Sequence, residues 1–180
     1  MKFVEPIRDK NKIEKVKQVL LSKSIRDFLI FEIGVNSGLR ISDLLALKVK
    51  DVAHKKYLEI KERKTCKNKR FPLNQIIIEK INEFIKNKNP ENYLFCGQNE
   101  HPLSRVQAYR IIKNACQKVG VNERIGTHSL RKTFGYHFYK SNKDIALLQN
   151  ILNHSSPNIT LRYIGINQDI IDSSLKSFYL

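Results

Sequence analysis

Apolar residues recur along the chain at two periods, and the change from one to the other divides it into elements. Ile13, Val16, Val19 and Leu20 give residues 1–23 one narrow apolar face on a lysine-rich helix, read as a leading helix or linker. Ser24 is suited to cap a second helix, with Asp27 in its first turn. Phe28, Leu29, Phe31, Ile33 and Val35 make that helix apolar nearly all round, which predicts a core helix ending at Asn36-Ser37-Gly38. A short helix follows from Ser42 with Leu44, Leu45 and Leu47. The period then shortens, and Tyr57-Leu58-Glu59-Ile60 and Arg70-Phe71-Pro72-Leu73 read as two strands joined by a basic turn. Helical spacing returns at Asn74, with Ile77, Ile81, Phe84 and Ile85 on one face until Asn89-Pro90 stops it. Tyr93-Leu94-Phe95 reads as at most a third short strand.

Four further helical patterns and a last segment complete the chain. Ser104 caps one that carries Val106, Ile111, Ala115 and Val119 as far as Gly120, and Thr127 caps another through His128 and Arg131 to Tyr139. Asn142 opens a helix holding Ile145, Leu148, Ile151 and Leu152. Pro157 suits the first position of a short helix that includes Leu161 and Tyr163 and breaks at Gly165. Ile171, Leu175 and Phe178 end the chain at helical spacing. The expected class is α+β: mainly helical, with one small antiparallel β-sheet inserted and no βαβ alternation of the nucleotide-binding kind.

Composition changes this picture little, and charge changes it much. With 180 residues, 41% hydrophobic and only 5 Pro and 7 Gly, the chain reads as one folded domain able to hold a core without disulfide or metal. Against that ordinary background stand 33 Lys and Arg and only 17 Asp and Glu, a net charge of +16 that points to a polyanionic partner. No run approaches the ~18 apolar residues of a membrane span and no signal-peptide pattern opens the chain, so the expectation is no membrane and a cytoplasmic, nucleoid-associated protein. Cys66, Cys96 and Cys116 show no zinc-binding spacing, and their odd number suits a reducing compartment.

Three segments carry candidate chemistry. In Thr127-His128-Ser129-Leu130-Arg131, a proton carrier active near neutral pH and a planar donor fork suited to phosphate lie three residues apart on one helical face. In Gly38-Leu39-Arg40-Ile41-Ser42-Asp43-Leu44-Leu45, Arg40 stands between two helices, and Asp43 is placed to hold a neighbouring basic group. In the segment from Leu152 to Tyr163, His154 precedes a helical tyrosine by nine residues. Each segment alone has an ordinary explanation: a solvated face, a capped turn, a packing tyrosine. Their occurrence together, in order, in a chain of this charge favours function.

As an ordered set these segments resemble the tyrosine recombinase, or phage integrase, family in its catalytic domain. That pattern has an Arg in a GLR-x-S-[DE]-L-L context, a Lys in a β-hairpin turn, an H-x-x-R pair, a His or Trp, and a Tyr near the C-terminus. The matches are Arg40, Lys64, His128, Arg131, His154 and Tyr163, within a broader likeness over residues 24–180. Among Lys61, Lys64, Lys67 and Lys69, Lys64 is chosen because Lys64-Thr65 ahead of Arg70-Phe71-Pro72-Leu73 resembles the family's phrase. Asn153 stands where the family usually has Gly, and Asn tolerates a left-handed backbone better than most residues. Most members carry a separate N-terminal domain that clamps the DNA; with 23 residues ahead of the likeness, the expectation is that this chain lacks it.

The resemblance implies a site-specific DNA recombinase in which Tyr163 attacks a phosphodiester to give a 3′-phosphotyrosine and a free 5′ hydroxyl. Arg40 and Arg131 would hold the non-bridging oxygens, His128 would take or relay the tyrosine proton, His154 would hydrogen-bond the phosphate, and Lys64 would protonate the leaving oxygen. Asp43 would support them. No cofactor, metal or ATP is implied. The implied partners are double-stranded DNA, met by the basic residues from Lys48 to Arg70, and further copies of the chain in a tetramer; residues 168–180 would pack either on a neighbouring copy or on the chain's own core. A strand-relaxing, topoisomerase-like enzyme and a non-catalytic DNA-binding descendant stay open as alternatives.

Overall fold

A computed structural model describes residues 4–97 and 100–178. Helix α1 (Lys10–Leu21) begins where the Asp9 carboxylate accepts the amides of Asn11 and Lys12, and it turns Ile13, Val16 and Leu20 into the core against α2 (Ile25–Ser37). Helix α2 is the axis of the fold. Ser24 Oγ accepts the Asp27 amide at its start, and the run Phe28 to Val35 is buried, so this helix contacts α4 (Gln75–Ile85), α5 (Arg105–Lys118) and α6 (Ser129–Asn142) as well as α1. Two glycines let α6 come close. A Cβ at Gly34 would lie 2.6 Å from the Leu130 side chain and one at Gly38 2.5 Å from the Phe134 ring, and Gly38, at φ +62, also gives α2 its left-handed end.

Past Gly38 the chain forms α3 (Ile41–Leu44) and then the hairpin of β1 (Tyr57–Lys61) and β2 (Asn68–Pro72), paired antiparallel with Tyr57 opposite Pro72 and Lys61 opposite Asn68. The Tyr93 segment forms no third strand. It makes only an isolated bridge to Lys48, because Leu94 and Phe95 are buried in the core rather than laid along the hairpin. Helix α7 (Ile145–Leu152), α8 (Pro157–Ile164) and α9 (Ile166–Ser177) follow α6. A second apolar cluster of Tyr136, Leu148, Leu152, Ile164 and Ile166 joins them to it. Among the described residues no helix is long and apolar enough to cross a membrane.

Three helix starts differ from the sequence expectation. Helix α3 begins at Ile41, with Arg40 rather than a serine at the cap position and no side-chain cap bond. Thr127 does not cap α6; His128 occupies that position, and Ser129 Oγ instead accepts the Gly126 amide at 2.9 Å. Asn142 does not open α7, because Lys143, at φ 57, ends α6 there and the Asp144 carboxylate caps the next helix through the Leu147 amide at 2.8 Å. The first two differences place an arginine and a histidine at the cap positions, where their carbonyls accept the first helix amides.

Candidate active site

Arg131 comes from the first turn of α6, just where the glycines of α2 admit that helix. Its side chain is buried, donating to the Gly38 carbonyl at 2.6 Å and to the Leu152 carbonyl at 2.5 Å, so it ties the end of α2 to the end of α7. Arg40 lies on the extended backbone leading into α3, and its Nη1 donates to Glu62 Oε1 at 2.6 Å. The same oxygen is 3.8 Å from Arg131 Nη1. Glu62 thus stands beside both arginines. Its other oxygen accepts from Thr65 Oγ1 and from Asn153 Nδ2, each at 2.6 Å. Burial opposes its charge, but the hydrogen bonds from Thr65, Arg40 and Asn153 outweigh that and hold the carboxyl below its ordinary value.

Asn153 ends α7 in the left-handed conformation expected of it, at φ 50, and turns the chain toward His154. The His154 Nδ1 is 3.1 Å from Thr160 Oγ1, and its ring meets the Tyr163 ring edge-on with centroids 4.8 Å apart. Burial, followed by the charges of Arg131 and Arg40, lowers this imidazole to about 4, so it is neutral near pH 7. Tyr163 faces inward from α8. Its hydroxyl is enclosed and makes no well-formed hydrogen bond among the described residues. Burial raises the phenol, while nearby Arg131 and Arg40 favour its ionised form without prevailing. The Lys132 ammonium sits 4.9 Å from the centre of the Tyr163 ring, and burial brings that lysine down to about 8.

His128 is at the exposed rim. Partial desolvation and the positive charges of Arg131, Lys132, Arg40 and Lys64 all disfavour its imidazolium, leaving a neutral ring able to accept a proton. A groove of about 1020 Å³, lined by His128, Lys132, Tyr163 and the face of α5 at Tyr109 and Lys113, opens on this side. Lys64 is exposed in the turn between β1 and β2. The neighbouring Lys69 is committed elsewhere, donating to the carbonyls of Asn150 and Ile151 at 2.9 and 2.7 Å. Asp43 is buried, and it holds the Arg63 backbone amide at 3.3 Å rather than a basic side chain. Its negative charge also favours the ionised form of Arg131.

The structure therefore brings Arg40, Arg131, His154 and Tyr163 into one cluster, with His128 and Lys64 at its edge. Glu62, Asn153 through its amide, Thr160 and Lys132 belong to the same cluster and were not anticipated. One signal was available for Glu62: it is the single acid among six basic residues from Lys61 to Arg70. Among the described residues no group of three or more His, Cys, Asp or Glu is placed to hold a metal ion.

A sequence model of the phage integrase family matches residues 8–169. The chain is 50% identical over 179 residues to a probable integrase/recombinase, YoeC, of Bacillus subtilis strain 168, covering 99% of this chain and 98% of that one. It is 32% identical over 148 residues to a tyrosine recombinase of Pseudothermotoga lettingae, covering 80% of this chain and 51% of that one. A crystal structure of the XerH site-specific recombinase bound to a palindromic difH substrate, a post-cleavage complex, matches with a TM-score of 0.74 at 23% identity, over 97% of this chain and 53% of that one. This last likeness is one of fold. The chain spans about half the length of the latter two proteins.

Proposed function

The chain belongs to the phage integrase family of tyrosine recombinases, and we propose that it is a site-specific recombinase that cleaves and rejoins DNA through Tyr163. The observation that carries this reading is the enclosed Tyr163 hydroxyl beside Arg131, with His154 against its ring and Arg40 joined to the same cluster through Glu62. A phenol held above its ordinary value is a poor nucleophile on its own. It becomes reactive when a phosphate enters between the arginines and a base removes the proton.

In that reading Tyr163 Oη attacks phosphorus, the bond to O5′ breaks, and a 3′-phosphotyrosine and a 5′ hydroxyl result. Arg40 and Arg131 carry the charge that builds on the non-bridging oxygens, in a site that keeps them desolvated. His128 accepts the phenolic proton and Lys64 protonates the departing O5′. In the neutral tautomer in which His154 Nδ1 accepts the Thr160 hydroxyl, the ring proton is on Nε2 and is donated to the phosphate. The cationic residues supply the field that a divalent ion provides elsewhere, and the covalent link conserves the phosphodiester for rejoining; the reaction is therefore proposed to need neither metal nor ATP.

DNA would approach from the side where Lys55, Lys56, Lys61, Arg63 and Lys67 are exposed around the hairpin. Other basic residues there already have partners: Lys48 and Lys50 pair with Glu91, and Arg70 stacks on Tyr57 at 3.7 Å. Helix α9 leaves Ile171 and Leu175 exposed, as is Phe178 just past its end, and this apolar surface is the proposed contact between copies on DNA. Strand joining tests the activity. Supplied with a cleaved duplex and a labelled strand bearing a different 5′ hydroxyl end, the protein should transfer the label into a new junction. Rejoining of the original strand alone, with exchange never seen, would contradict recombination and favour a relaxing enzyme.

A further inference from the structure

Glu62 is none of the six positions that carry the family resemblance, yet three parts of the site meet on it. The residue is 1% exposed and both carboxylate oxygens are occupied. A carboxylate so enclosed is costly to keep charged unless donors surround it, and removing one partner of such a group leaves the rest uncompensated. Each donor comes from a different element: Arg40 from the start of α3, Thr65 from the hairpin turn, Asn153 from the corner that leads to His154. The turn is also closed at Glu62, whose amide donates to the Lys67 carbonyl and whose carbonyl accepts the Cys66 amide, both at 2.9 Å. The Arg63 amide is held by Asp43. Lys64 therefore projects into solvent from a backbone anchored on both sides.

Resting on the reading of Lys64 as proton donor and Arg40 as phosphate ligand, we propose that Glu62 and Thr65 are positioning residues that lock the Lys64 turn to Arg40 and to the Asn153 corner, so that proton donor and phosphate grip are set as one unit. Neither touches the substrate. Glu62 is 1% exposed, whereas Arg40 keeps 18% of its side chain exposed and so open to a phosphate. A carboxylate in that place orients the guanidinium and does not compete for it.

The chemistry offers a way to read the position of Lys64 alone. In cleavage the Tyr163 Oη–P bond forms, the P–O5′ bond breaks, and the electron pair left on O5′ takes a proton from the Lys64 ammonium. With sulfur in the bridging 5′ position the leaving thiolate is stable near neutral pH and needs no proton. Sulfur substitution thus rescues a variant that misplaces Lys64 and does not rescue one that spoils the arginines.

The test uses the full chain and a library of nicked duplexes randomised in sequence, from which adduct-forming sequences are remade with bridging oxygen or sulfur. Thr65→Val should slow adduct formation on the oxygen substrate by about tenfold or more and recover on sulfur, as Lys64→Ala should, while Thr65→Ser stays close to the parent chain. Glu62→Gln should slow the oxygen reaction and recover only in part, because Arg40 also loses its partner, and Arg40→Ala should not recover at all. Non-covalent DNA binding should stay within about twofold for Thr65→Val and Glu62→Gln. The inference is overturned if Thr65→Val cleaves the oxygen substrate at the parental rate, if it is slowed equally on both substrates, or if Glu62→Gln is faster than the parent. A parent chain that yields no adduct from the library, or a Lys64→Ala variant that cleaves the oxygen substrate normally, would instead bring down the assignment of the site, and this inference with it.

Discussion

Asn153 does two things at once: its backbone adopts φ 50 and ψ 48, and its amide reaches Glu62. A left-handed backbone costs roughly 1–2 kcal/mol for most residues, less for Asn and nothing for Gly. Asn153→Ala should therefore lose both the conformational ease and the hydrogen bond, destabilising the chain by about 2 kcal/mol in urea unfolding, while Asn153→Gly should lose only the bond. Equal losses for Ala and Gly would show that the backbone conformation carries no cost here. The backbone half of this was legible in the sequence, since few residues besides Gly and Asn suit such a corner. The hydrogen bond that its side-chain amide donates to a residue 91 positions away was not. His154 makes a pH prediction of the same local kind. Its folded-state value near 4 lies below the ordinary ~6.5 of a free imidazole, so the unfolded chain binds the proton first as the pH falls. The stability it contributes is full above about pH 6.5 and is lost as the pH falls toward 4. Glu62, held low by its donors, adds a loss in the carboxylate range. In urea unfolding at a series of pH values, His154→Gln should flatten the upper part of this decline; an unchanged profile would contradict the assignment.

The hairpin shows how elements, rather than single residues, sort the four lysines of the basic turn. Lys69 sits in β2 and reaches the Asn150 and Ile151 carbonyls in the last turn of α7, where a positive charge meets the negative end of the helix. Lys69→Met should cost about 1 kcal/mol, a fall of about 2–4 °C in the thermal midpoint. Its cleavage rate should show no selective gain on a sulfur-bridged substrate, which separates it from Lys64→Ala. Sequence pattern located this turn and both strands, because alternating apolar residues and Pro72 mark them. It did not say which lysine faces which neighbour, since that depends on α7, some 80 residues later. The same reason explains the helix starts: candidate caps were plentiful at Thr127 and Asn142, and the packing of α6 against α2 and the left-handed Lys143 selected others. The core helix α2 was readable because it is apolar nearly all round, and the third strand failed because a buried run such as Leu94-Phe95 looks alike in a strand and in a core-lining loop.

At the scale of the whole molecule, charge and the apolar face of α9 are the features turned outward. A surplus of 16 positive charges predicts backbone-dominated DNA binding whose affinity falls steeply with salt. Changing Lys55 and Lys56 together to Ala should weaken binding on all sequences alike and reduce the slope of log K against log salt by about 2. A loss confined to one sequence would contradict this role. The proposed cleavage needs the Tyr163 hydroxyl, and a covalent protein–DNA link is its direct mark. Parent chain and Tyr163→Phe would be incubated with nicked duplexes of randomised sequence, denatured, digested and mapped by mass spectrometry. A nucleotide joined through a 3′ phosphate to the Tyr163 peptide, absent from Tyr163→Phe although that variant still binds DNA, is the predicted result. DNA bound by the parent chain with no covalent product, or a link on any other residue, would contradict it.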